Sequence, residues 1–152
     1  MQLEEPEKEI HKKELIGRRA FGKDKEIFSE SNGHKHYKIK LFTDTRPGGL
    51  SVDRLGIGEA NMKRVPFLDQ LGLEMGEKRN KDFRGWAQLS VTSIYELVVA
   101  TEADGEVNPF HAEILRDEHP TDRSRRSLAF ELCELARLQG FLESPSFEKP
   151  SP

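Results

Sequence analysis

A chain of 152 residues, 34% charged and 35% apolar, is long enough for one domain with its own core, without metal or disulfide support. Its net charge of −3 gives no global field for holding nucleic acid or an anionic membrane, so any such binding must be local. One Cys excludes an intramolecular disulfide, no run approaches the ~20 apolar residues of a membrane span, and the start MQLEEPEKEI lacks the basic and apolar regions of a secretory signal. A reduced, cytoplasmic setting without membrane contact is the expectation.

Residues 1–13 are dominated by Glu and Lys, with only Leu3 and Ile10 to bury, and read as a charged arm ahead of a globular domain over 14–141. LIGRRAF, Leu15 to Phe21, suits a first strand with Arg18 and Arg19 at its middle, a helix being the alternative. Asn32-Gly33 between two patterned runs predicts a hairpin, because both residues accept positive φ. In its second arm Tyr37, Ile39 and Leu41 alternate with the basic His36, Lys38 and Lys40.

TRPGG over 45–49 reads as a turn and Leu50-Ser51-Val52 as a short strand. Ile57, Met62, Val65, Leu68 and Leu71 then recur at roughly helical spacing. Pro66 predicts two short helices, Gly58 to Val65 and Pro66 to Leu71, with Gly72 and Gly76 ending the region.

Phe83 to Leu115 holds the densest apolar pattern and the only Trp. Phe83, Ala87, Leu89 and Val91 alternate with polar residues as a half-buried strand requires, although Trp86 breaks the period. The apolar run from Ile94 to Ala100, a turn at Ala103 to Glu106 and the run Pro109 to Leu115 complete the expected centre of an antiparallel sheet. Thr121 or Asp122 is placed to cap a helix whose stripe is Leu128, Leu132, Leu135 and Ala136, with Gly140 after its end. Residues 142–152 are rich in Ser and Pro and read as a tail. The expected class is therefore α+β: an antiparallel sheet of about five strands, short helices mid-chain, and one C-terminal amphipathic helix packed on the sheet.

The residues that could carry chemistry fall into four groups. His111-Ala112-Glu113 resembles the H-A-E motif of zinc-dependent nucleoside deaminases, in which the His binds zinc and the Glu moves protons. That family also needs P-C-x-x-C for two thiolates, and Cys133 alone, inside an apolar helix, cannot supply them. On a strand, His111 and Glu113 would instead share one face while Phe110, Ala112 and Ile114 face the core. His34 and His36, also two apart, would join His111 as metal ligands only if the hairpin lay beside the central strands; a solvated strand edge guarded by lysines is the plainer reading, and no metal or other cofactor is expected.

Arg123, Arg125 and Arg126 crowd the start of the C-terminal helix, where the macrodipole disfavours cations unless an anion is present or Asp117, Glu118 and Asp122 neutralise them. Arg18 and Arg19, with Arg46 and Arg54, would extend such an anion site. No phosphate loop, complete dinucleotide fingerprint or nucleophile elbow is present. Two functions follow: a noncatalytic accessory protein acting through a protein partner, or an enzyme or processing factor binding phosphate or nucleic acid through the arginines, with His111 and Glu113 as acid–base groups.

Overall fold

The computed structural model describes residues 9–43, 49–97, 101–103, 108–116 and 121–147. Arg46, Asp117, Glu118, most of the expected turns at 45–49 and 103–106, and the end of the 94–100 run lie outside them.

Leu15–Phe21 (β1) is central. It pairs antiparallel with Leu50–Arg54 (β4) on one side and Phe83–Ser90 (β5) on the other. His111–Ile114 (β7) adds to β4, Thr101–Ala103 (β6) to β7, and Phe141–Glu143 (β8) to β5. The sheet order is β6-β7-β4-β1-β5-β8. After the short helix Asp24–Ile27 (α1), Phe28–Ser31 (β2) and His34–Tyr37 (β3) form a separate hairpin, turning at Asn32 (φ 53°) and Gly33 (φ 77°) as the Asn-Gly signal requires. The antiparallel α+β class expected from the pattern is the observed one, and no helix among the described residues is long and apolar enough to cross a membrane.

Each face of the sheet buries its own cluster. On one, Ile16, Ala20, Val52, Leu89, Ala112 and Ile114 meet Leu128, Leu132 and Ala136 of Asp122–Gln139 (α4), with the hairpin's Tyr37 in the same core. Thr121 caps α4, its Oγ1 accepting from Ser124 N (3.1 Å). On the other face, Leu55, Phe83, Trp86 and Phe110 meet Val65 and Leu68 of Glu59–Arg79 (α2).

The mid-chain expectations need correction. Rather than two short helices split at Pro66, α2 runs unbroken for 21 residues with Pro66 inside it. Proline forfeits one backbone hydrogen bond, but burial of the helix's inner face outweighs that local loss. Gly72 and Gly76 do not end the helix; they let it approach β5, since a Cβ on Gly72 would collide with the Phe83 ring and one on Gly76 would come within 2.6 Å of Lys81 O.

Trp86 breaks the alternation because β5 carries a bulge. Ala20 pairs with Gly85 but Phe21 pairs with Phe83, leaving Arg84 as the extra residue. The phase shift puts Phe83 and Trp86 on the α2 face and Ala87 and Leu89 on the α4 face. Gly85 accommodates it at φ 132°, where a side chain would strike Leu142 O.

The apolar stretch after β5 starts as a helix rather than a strand. Val91–Glu96 (α3) is capped by Ser90, whose Oγ accepts from Ser93 N (3.2 Å), and it buries Val91 and Ile94. Both presumed ends also engage the domain. Ile10 packs against the main core, and Thr92 Oγ1 donates to Lys12 O (2.8 Å). Leu142 and Glu143, assigned to the tail, instead lie in β8. Beyond them, Ser144 and Ser146 (2.5 Å) donate their hydroxyls to the buried Asp69 of α2.

Candidate functional site

On the α2 face, β1, β4 and β7 set Gly17, Asp53 and His111 side by side in register. Asp53 is only 2% exposed, and three donors meet its carboxylate. Arg19 Nε donates to Oδ2 (2.7 Å), Arg19 Nη2 to Oδ1 (2.9 Å) and Trp86 Nε1 to Oδ2 (2.8 Å). A buried carboxylate needs such compensation, and the bidentate pairing fixes the guanidinium plane of Arg19 in return. Gly17 leaves room for the indole, since a Cβ there would come within 2.7 Å of Trp86 Cβ.

Above this network lies a cavity of about 230 Å³. Arg19, Ser51, Asp53, Asn108 and His111 give its polar wall, Phe21 and Met75 its apolar one, and Arg79 from the end of α2 stands at the same cavity. Arg79 is exposed, and its guanidinium carbon sits 4.6 Å from the centre of the Phe21 ring, a cation–π contact. Asn108 shapes the entry to β7. Its Oδ1 accepts from Phe110 N (2.8 Å) and its carbonyl from His111 N (3.1 Å), so its Nδ2 donor takes no part in these turn bonds.

The sequence candidates separate. His111, 8% exposed, lines the cavity together with Arg19. Glu113 shares its strand face but stands a rung away, beside Ser51, with its side chain against Gly49 and outside the cavity lining. The pair expected to act together as acid and base thus does not converge on one cavity. Ala112 and Ile114 face the α4-side core as expected, whereas Phe110, just before β7, packs against Phe67 of α2 (5.7 Å).

Arg18 contributes to the same rim, but it is held by backbone carbonyls, Nε donating to Leu41 O (2.9 Å) and Nη1 to Ser51 O (2.7 Å). Arg54 is buried in a structural pair with Glu14 (2.8 Å). His34 and His36 lie on the hairpin, where His36 Nδ1 is 3.8 Å from Glu134 of α4. His111 is on the opposite, α2 face of the sheet, so the three histidines do not meet. Among the described residues no group of three His, Cys, Asp or Glu is placed to hold a metal ion.

Arg125 and Arg126 line a second cavity of about 380 Å³ on the α4 side, with Ile39, Lys40, Thr43, Arg116 and Asp122; Arg123 is not part of its lining. Of the arginines expected to form one anion site, Arg18 and Arg19 therefore line one cavity and Arg125 and Arg126 another, with the sheet between them. Cys133, which donates to Lys38 O (3.6 Å), is pushed up to about 12 by burial, so its thiol is neutral at physiological pH.

Asp53, Arg79 and Asn108 were not among the sequence candidates. Asp53 had no signal, since after Leu50-Ser51-Val52 it continues the polar phase of Ser51 and reads as facing solvent. Asn108 before Pro109 had one, as a turn former preceding a strand. Arg79 had none, because its place depends on α2 continuing past Gly76. No protein-family model, curated protein or solved structure matches this chain.

Proposed function

We propose that this protein binds a small organic or inorganic anion in the cavity between α2 and the β1-β4-β7 surface. The observation that carries the reading is the balance of groups there. Arg19, Arg79, Asn108 and His111 line the cavity against one carboxylate, Asp53, which is already occupied by Arg19 and Trp86. Prepositioned guanidinium and amide donors in a partly desolvated recess are the means by which proteins hold carboxylates and phosphates. The volume of about 230 Å³ is below the roughly 300 Å³ at which pockets begin to enclose drug-sized ligands. That favours one compact acid over a nucleotide or a nucleic-acid strand.

Asn108→Asp tests this without dismantling the wall. The substituted side chain keeps an acceptor for Phe110 N but replaces the Nδ2 donor with negative charge. Calorimetric titration with inorganic phosphate and short carboxylates is expected to show binding to the parent protein and at least roughly tenfold weaker binding to the variant, the scale of one charge-assisted hydrogen bond. Thermal stability should change little. Equal affinity in the two proteins, or none in the parent, refutes the reading.

The alternative, docking on a protein partner, draws on one feature. Phe130 (57% exposed) and Leu138 (74%) lie eight residues apart on the solvent side of α4, spacing that places them on one helix face.

A further inference from the structure

We infer, building on the anion-binding reading above, that the preferred ligand is a short dianion, with two acidic groups joined by a few carbons. The cavity offers two cationic points of different construction, separated by an apolar wall. The inner one is Arg19, two-point bound to Asp53, with its side chain only 20% exposed. Asn108 and His111 line the cavity with it. The outer point is Arg79, exposed at the end of α2, held over the Phe21 ring at 4.6 Å and without a carboxylate in ion-pair range among the described residues.

Phe21 stands between them. It follows Arg19 by two residues on the same face of β1, about 6.6 Å along the strand at ~3.3 Å per residue, and it carries the Arg79 guanidinium on its ring face. A monoanion would use one of these points. Two acidic ends would use both while the linking carbons lie on Phe21 and Met75, so that the apolar wall also contributes by burial. A bulky polyanion does not suit a recess of about 230 Å³, and a ligand without a carbon linker would leave that wall unmatched.

The test is calorimetric titration of the full chain with succinate and glutarate against propionate and butyrate, repeated for Arg79→Gln. The parent protein is expected to bind the diacids at least roughly tenfold more tightly than monoacids of like length, the gain from a second charge-assisted contact. Arg79→Gln should reduce that preference to within about threefold, weakening diacid binding by more than it weakens monoacid binding. Because Arg79 is exposed, the variant should fold; Phe21→Leu, which removes the supporting ring, offers a second route to the same loss. Equal affinity for mono- and diacids in the parent overturns the dianion inference but leaves anion binding intact. A diacid preference that survives both variants overturns the role of Arg79, and failure of every acid to bind overturns the underlying reading as well.

Discussion

Asp53→Ala is expected to destabilise the protein by about 3 to 5 kcal/mol, the cost of leaving one member of a buried ion pair behind. Two groups lose their partner at once: the Arg19 guanidinium, bound at both Asp53 oxygens, and the indole N–H of Trp86, which is fully buried. Removing an acceptor beneath a buried donor costs the desolvation of that donor as well as the bond. Asp53→Asn separates the contributions, because an amide oxygen can still accept from Trp86 but carries no charge for Arg19. Its loss should be the smaller of the two. Denaturant melts of both variants provide the check, and a change below about 1 kcal/mol for Asp53→Ala would mean that the network does not hold the sheet face together.

Leu132→Ala is expected to cost about 2 to 5 kcal/mol through the cavity it opens beneath α4. Leu132 is fully buried, and its neighbours Leu128, Ala129 and Ala136 belong to the same cluster as Ile16, Val52 and Leu89 of the sheet. Phe130→Ala, on the exposed side of the helix, should stay within about 0.5 kcal/mol. Similar effects from the two substitutions would contradict the assignment of the helix's inner face.

What could be read from the chain in advance was what local chemistry determines. Asn32-Gly33 specifies its turn because two adjacent residues must take positive φ, and the Thr121 cap with the Leu128-Leu132-Ala136 stripe specifies α4, since cap and period agree. Where local and tertiary preferences oppose one another, the reading failed. Pro66 argues for a break, yet α2 persists because its buried face extends to Gly76. Ile94 and its neighbours favour a strand, yet the Ser90 cap starts a helix there. β8 was hidden because three residues at the sheet edge give too short an alternation to detect.

The site was partly legible for the same reason. His111 and Arg19 were visible as residue types that carry chemistry, but their meeting depends on the order β7-β4-β1, which pairs strands far apart in sequence. That order also explains why Arg19 and Arg125 do not combine. They serve opposite faces of the sheet, and neither composition nor spacing distinguishes the faces before the strand order is known.

The most direct measurement uses Trp86, the only tryptophan in the chain. Its Nε1–H donates to the same Asp53 oxygen that receives Arg19 Nε, 2.8 and 2.7 Å away. An anion drawn to Arg19 must alter the field at that proton, which gives a single resolvable indole signal in a proton–nitrogen correlation spectrum. Titration with succinate is predicted to move the signal saturably, to move it along the same curve in an Arg125→Gln/Arg126→Gln variant, and to need at least roughly tenfold more succinate for the same movement in Asn108→Asp. An indole signal that stays fixed in the parent protein, or that moves only when Arg125 and Arg126 are intact, would contradict anion binding at this cavity.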